Sequence, residues 1–213
     1  MVYQSLVDNG VRTVFGYSGG ANLPVLDQFN AENSTAIQFI MNRSEQCCGH
    51  AAEGYAKSSG RTGVVLVTSG PGLTNIITPL QDAKGDSVPL VALSGQVPTA
   101  AAGTDAFQEC DAVNLTKPCT KWSYQLQSVE EIPAVISEAF AVANRGKKGP
   151  VHIDMPKDVM TELLQGESLA PAKNPPFGYL SDNAKDQISK VAELCAVAQK
   201  PIIIAGQGTR SVV

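Results

Sequence analysis

The sequence has no long hydrophobic run, and no apolar stretch approaches the ~18–20 residues that a membrane-spanning helix needs. Its opening residues, Met-Val-Tyr-Gln-Ser-Leu-Val-Asp, carry neither a basic segment nor an apolar core, so they do not read as a secretory signal. Lysine and arginine number only 16 against 20 Asp and Glu, a net charge of −4. A pI near 5.2 with no basic cluster argues against nucleic acid as the main partner. Histidine occurs only at His50 and His152, which argues against a multi-histidine metal site. The five cysteines are odd in number, include the adjacent pair Cys47–Cys48, and form no CxxC. That pattern suits neither a disulfide framework nor a zinc site; it reads as reduced, buried thiols. Charged residues make up 17% of the chain, below the usual ~25%. So little charge among so many small residues points to surface covered by another subunit.

What is present is 213 residues, enough for one to two domains and a substantial core. Strand-like and helix-like segments alternate. A helix over 2–9 ends at Gly10, and a short strand follows at Thr13–Phe15. Gly16–Gly20 is a tight turn before a helical stretch at 21–30. Ala36–Met41 reads as a strand, and Ser44 caps a helix over 45–59 that closes at Gly60. Gly63–Thr68 is almost wholly apolar, as a central parallel strand covered on both faces should be. A helix over 73–83 and a strand at Val88–Ser94 come next. Residues 95–118 read as loop, and 119–126 as a strand. Ser128 and Glu131 have capping-box spacing ahead of a helix to about 144. A strand at Val151–Asp154 and a short helix over 156–163 complete the series.

This βαβα order predicts an α/β fold with a mainly parallel sheet flanked by helices. Residues 165–183 are rich in Pro, Ser, Gly and Asn and read as a linker. A helix at 184–199 and the strand Pro201–Ala205 then open a second α/β unit, too short to bury its own core. The expected division is 1–164, a linker at 165–183, and 184–213 as the start of another domain. The chain thus reads as a fragment.

In a parallel sheet, ligands bind beyond the carboxyl ends of the strands. Four loops reach that edge: 16–20, 43–50, 68–75 and 95–108. Glu45 begins a helix there. It is either a first-turn carboxylate that complements the helix dipole, or an acid whose partial burial raises its pKa and lets it share a proton. Glu53 could share its face, whereas His50 points elsewhere and suits packing or hydrogen bonding. The turn Thr-Ser-Gly-Pro-Gly (68–72) lacks the lysine of a Walker loop, Gly16–Gly20 is not GxGxxG, and there is no GxSxG elbow. Phe107 and Gln108 lie on a loop of mixed chemistry. Trp122 is most simply core or interface, and Lys157 a solvated lysine at a helix start.

Seven stretches together carry a resemblance: VFGYSGG (14–20), SEQCCGHAAEGYAKSSG (44–60), GVVLVTSGPGLTN (63–75), PLVALSGQVPT (89–99), GTDAFQE (103–109), TKW (120–122) and GPVHIDMPKDV (149–159). In order and spacing they resemble the N-terminal, pyrimidine-binding domain of thiamine diphosphate-dependent enzymes, and within these the acetolactate synthase branch. PIIIAGQG resembles the first strand of that family's central domain, which holds FAD in some members.

The resemblance implies a role for Glu45: a glutamate there hydrogen-bonds N1′ of the cofactor's aminopyrimidine and acts as its remote acid–base partner. It further implies that Tyr17, Gly19, Gly20, Pro71 and Asn75 contact the pyrimidine side of thiamine diphosphate. Gln108 would lie near the reacting centre, and Ala21, Pro98, Phe107 and Lys157 along the substrate channel. Lys147 falls where the family often has an arginine contacting FAD, and Ser18 where it usually has proline. Mg²⁺ and FAD are expected mostly outside these residues, since the Gly-Asp-Gly…Asn motif that binds metal and diphosphate is missing from them. The implied reaction decarboxylates pyruvate and joins the two-carbon unit to a second 2-ketoacid, in branched-chain amino acid biosynthesis. A homodimer or larger homo-oligomer would complete the active site, a regulatory subunit is a further partner, and the chain alone would be inactive. Its compartment would be the cytoplasm, or a plastid or mitochondrion. Two alternatives stand beside this: another thiamine diphosphate-dependent decarboxylase or oxidase, or a non-catalytic module that binds a full-length subunit.

Overall fold

Period-two burial along the central strands sets the architecture. In β3 (Gly63–Val67), Val64 and Leu66 enter one core while Val65 and Val67 enter another. β4 (Leu90–Gln96) repeats this, with Val91 and Leu93 opposite Leu90 and Ala92. All residues of both strands are buried, which is why their sequences show no alternation. Around them lie β1 (Thr13–Gly16), β2 (Gln38–Met41), β5 (Trp122–Gln125) and β6 (Pro150–Pro156). The six strands form one sheet in the order β2-β1-β3-β4-β6-β5, and every pairing is parallel. The expected α/β fold with a parallel sheet is therefore found. This computed structural model describes residues 1–29, 36–165 and 182–206.

The helices cover both faces. On one, α1 (Val2–Asp8) and α7 (Ile132–Asn144) insert Leu6, Ile136 and Ala139. On the other, α3 (Glu45–Ser59) and α5 (Ile77–Gly85) insert Cys48, Ala52, Leu80 and Ala83. Full burial of side chains such as Leu66 or Ile136 contributes about 1.5–3 kcal/mol each. Helix α3 forms where its caps predict. Ser44 Oγ accepts from the Cys47 N–H at 3.3 Å, and Gly60 closes it in the left-handed region at φ 72°. The short helices are α2 (Leu23–Leu26), α4 (Pro71–Asn75), α6 (Ala112–Thr116) and α8 (Lys157–Thr161).

Several elements differ from expectation. The single helix at 73–83 is two, α4 and α5, because Pro79 cannot donate to the Asn75 carbonyl and so cannot continue α4. Residues 95–118 contain α6, capped by Asp111, whose side chain accepts from the Asn114 N–H. The Ser128–Glu131 capping box does not form. Glu131 instead accepts from the Tyr124 hydroxyl at 3.0 Å and from the Gln127 N–H, so α7 starts at Ile132 without a side-chain cap. The thiols are not all buried. Cys48 and Cys119 are, Cys110 is half-buried, and Cys47 and Cys195 are exposed; all five are free. Neighbouring helix residues point ~100° apart, so α3 turns Cys48 inward and Cys47 outward.

The chain divides into two units, Met1–Ala172 and Lys173–Val213. The first holds the sheet and α1–α8. In the second, α9 (Asp182–Val197) appears as predicted, but Pro201–Gly206 forms no strand. A strand needs a neighbouring strand for its backbone groups. Most of the proposed linker, 166–181, lies outside the described residues.

Candidate functional site at the carboxyl edge of the sheet

Parallel register brings the carboxyl ends of the strands to one edge. Gly16 pairs with Leu66, Val67 with Ser94, and Gln96 with Pro156. The loops that leave these ends therefore converge.

Glu45 opens α3 at this edge and is half-buried. Asn75, the last residue of α4, donates its side-chain N–H to Glu45 Oε2 at 2.9 Å. The other carboxylate oxygen faces Gly72, where an added Cβ would stand 3.7 Å from Oε1. Pro71 opens α4. Glu45 and Asn75 are thus brought together, with Pro71 at the other end of the same short helix as Asn75.

The 17–21 loop is folded on a buried asparagine. Asn22 Oδ1 accepts from the Gly19 N–H at 2.9 Å, and its Nδ2 donates to the Tyr17 carbonyl at 2.9 Å. The loop also lies on Thr68, whose Oγ1 accepts from the Ala21 N–H at 3.3 Å. At Gly19 an added Cβ would stand 2.4 Å from Thr68 Cβ, so only glycine fits. At Gly20 nothing lies within 4 Å, and that side of the loop is open. Ala21 packs on β4, where a Cβ at Gly95 would come within 2.7 Å of its carbonyl carbon. Neither Asn22 nor Thr68 was singled out from the sequence. The signal for Asn22 was its place three residues after Gly19, where a side-chain carbonyl can satisfy the turn.

The 97–110 loop brings the remaining candidates. Pro98 is exposed at its start. The next residue, Thr99, donates its N–H to both oxygens of Asp158, at 3.1 and 3.2 Å, and its hydroxyl to Oδ2. This bond sets Pro98 beside the start of α8, where Lys157 is exposed. Further on, Glu109 accepts from the N–H groups of Gly103 and Ala106, which hold its carboxyl below the usual range. Phe107 is 88% exposed on the turn so closed. Gln108 is left-handed at φ 60°, and a Cβ on Gly70 would stand 2.5 Å from its carbonyl oxygen. Gln108 thus rests on the turn that leads to Glu45's partner, whereas Pro98 and Lys157 form a separate pair at the ends of β4 and β6. Ala21 lies between Thr68 and Gly95.

One expectation about α3 is corrected. His50 does not point away from Glu53; its Nδ1 lies 3.3 Å from Glu53 Oε2, one helical turn on, and 3.8 Å from Asp82. These three could gather around a cation, since their ligand atoms lie within 4.8 Å of one another. Lys57 already balances the charge: its ammonium stands 2.7 Å from Glu53 Oε1 and 2.7 Å from Asp86. The Asp86 bond, then the Glu53 bond, raise the Lys57 pKa. The group reads as an ion-pair cluster behind the site.

The family model of the thiamine pyrophosphate enzyme N-terminal TPP binding domain matches residues 1–115, which include β1–β4 and every residue around Glu45 described above. The chain belongs to this family. Among curated relatives, it is 48% identical over 205 residues to the mitochondrial acetolactate synthase catalytic subunit of Saccharomyces cerevisiae, covering 93% of this chain and 30% of that protein. It is 48% identical over 209 residues to the acetolactate synthase large subunit of Lactococcus lactis, covering 98% and 36%. With the isozyme 3 large subunit of Escherichia coli the figures are 42% over 210 residues, covering 98% and 36%. The chain spans about a third of the length of the curated relatives it matches. No described helix is long and apolar enough to cross a membrane.

Proposed function

We propose that this chain forms the pyrimidine-side part of an acetolactate synthase, which decarboxylates pyruvate and joins the two-carbon unit to a second 2-ketoacid. The observation that carries the reading is the Glu45 carboxylate, oriented by Asn75 at an open sheet edge. It stands in a chain 48% identical to proteins of that name.

The residues fit the cofactor. Thiamine diphosphate supplies, when bound, a carbon nucleophile that no side chain can provide. Glu45 would hydrogen-bond a ring nitrogen, donating as the acid and accepting once that nitrogen has taken the proton. Asn75 is neutral, so it fixes the carboxylate without quenching its charge. The open side of Gly20 leaves room for a flat ring beside Tyr17, Gly19 and Pro71. Gln108 would face the reacting atoms, and Ala21, Pro98, Phe107 and Lys157 the path by which ketoacids enter.

On this reading residues 1–164 are the pyrimidine-binding domain and 184–213 begin a second. Magnesium, the diphosphate and FAD are held by other parts of the assembly. Leu23, Met41 and Phe107 are 53%, 63% and 88% exposed, on segments that start or end at the carboxyl edge. That much exposed apolar surface supports a second copy covering the edge. A regulatory subunit would bind elsewhere. The compartment is the cytoplasm, or a mitochondrion or plastid.

The test is a chimera in which this sequence replaces the matching segment of the Lactococcus lactis large subunit. Acetolactate formation from pyruvate is expected. A folded chimera that binds thiamine diphosphate and makes no acetolactate would overturn the reading.

A further inference from the structure

A buried polar network runs across β4, β6 and β5 that the function proposed above does not use. Asp154 on β6 is fully buried. Its Oδ1 accepts from the Ser94 hydroxyl at 2.8 Å. Its Oδ2 accepts from Gln96 Nε2 at 3.1 Å and from Gln125 Nε2 at 2.8 Å. Ser94 Oγ also lies 2.8 Å from His152 Nε2, and His152 Nδ1 lies 2.9 Å from Ser123 Oγ and 3.0 Å from Thr116 Oγ1. Serine, histidine and aspartate meet here without forming a nucleophilic triad, because the aspartate holds the serine rather than the histidine.

The informative member is Gln96. Its Oε1 accepts from the Val97 N–H at 2.9 Å. Its Nε2 has two hydrogens; one goes to Asp154 and the other to the Cys110 carbonyl at 2.9 Å. If the amide were reversed, its oxygen would face a carboxylate and a carbonyl, both acceptors. The Asp154 carboxylate thus acts with the Cys110 carbonyl and the Val97 N–H to fix which way Gln96 points. Gln96 is the last residue of β4, where the 97–110 loop leaves the sheet, and Cys110 is where that loop returns. The Gln96–Cys110 bond closes the loop at its base.

We propose that Asp154 is a positioning residue for the loop that carries Phe107 and Gln108, acting through the Gln96 amide. The carboxylate orients Gln96, Gln96 holds the Cys110 carbonyl, and Gln108, two residues away, is kept on the Gly70 turn. The N–H of Gly70 also reaches the Cys110 thiol, whose pKa burial pushes up. The significance for catalysis rests on the proposed function; the positioning itself does not.

Gln125 makes the control possible. It donates to the same carboxylate oxygen as Gln96, but its amide has no bond to the loop. Amide hydrogen exchange over 103–110 is to be followed in the 213-residue chain, without cofactor, for Asp154→Leu, Gln96→Met, Gln125→Met and the double variant Asp154→Leu/Gln96→Met. Asp154→Leu removes both acceptor oxygens at similar volume, which releases Gln96, whereas Asp154→Asn could still accept from both glutamines through one oxygen and donate to Ser94. Asp154→Leu and Gln96→Met should each speed loop exchange roughly tenfold or more, the equivalent of losing a hydrogen bond to a charged group. Gln125→Met should leave loop exchange within about twofold of wild type, and the double variant should exchange no faster than Gln96→Met. Unchanged loop exchange in Asp154→Leu or Gln96→Met would overturn the proposal. So would a Gln125→Met loop as fast as that of Gln96→Met, because the network would then be a general brace. Should Asp154→Leu not fold, Gln96→Met against Gln125→Met decides the matter. No cofactor is present, so failure here is distinct from failure of the chimera to make acetolactate.

Discussion

Asn75 Nδ2 donates to Glu45 Oε2 at 2.9 Å and joins the end of one short helix to the start of a long one across 30 residues of sequence. On the proposed function this bond aims the acid that exchanges a proton with the cofactor. In the chimera, Glu45→Gln should lower acetolactate formation by at least about a hundredfold, as expected for loss of a general acid–base group. Its circular dichroism should stay that of the parent. Asn75→Ala, which frees the carboxylate without removing it, should cost roughly tenfold, in line with one hydrogen bond to a charged group. A Glu45→Gln chimera within a few-fold of the parent would take Glu45 out of its role.

Adjacent glycines should respond oppositely. Gly19→Ala puts a methyl group 2.4 Å from Thr68 Cβ, so the 17–21 loop or the 68–70 turn must shift, at a cost of about 1–3 kcal/mol. Gly20→Ala meets nothing within 4 Å and should change stability by no more than about 0.5 kcal/mol. Urea unfolding of the two variants checks this; equal losses would show that the loop is not packed on Thr68 as described.

His152 makes stability depend on pH. It is fully buried, and burial lowers its pKa from 6.5 to about 3. Between those values the unfolded chain binds a proton that the folded chain does not. The histidine therefore lowers stability as pH falls below 6.5, by about 1.4 kcal/mol per unit, and has no such effect above it. Urea unfolding at pH 7.5 and 5.5 should show wild type losing more stability on acidification than His152→Gln. Equal losses would mean that His152 takes up its proton in the fold.

Thiol chemistry should separate the adjacent cysteines. Cys47 and Cys195 are exposed, whereas Cys48 and Cys119 are buried and burial raises the pKa of both thiols. An alkylating reagent with mass-spectrometric mapping should label Cys47 and Cys195 in the native chain, and Cys48 and Cys119 only after denaturation. Fast native labelling of Cys48 would mean that α3 does not hold the face assigned to it.

The sequence by itself determined the fold class and most of the elements. The apolar runs GVVLVT and VPLVALS, bounded by turn residues and rich in Val, read as strands covered on both faces, and Ser44 and Gly60 bound α3 through local hydrogen bonding and a left-handed turn. These are short-range effects, legible over a few residues. Glu45 was legible as a carboxylate at the sheet edge for the same reason. What it meets was not. The Asn75 bond, the seat of Gly19 on Thr68 and the grip of Asp158 on Thr99 span 30, 49 and 59 positions, and only the parallel register of the strands makes them neighbours. Tertiary competition also overrode local signals. Glu131 had the spacing of a cap, but Tyr124 and Gln127 claimed its carboxylate. The Asp154 network was invisible for the same reason. Its members come from three strands, and it exists because a buried carboxylate must find donors wherever the sheet brings them together.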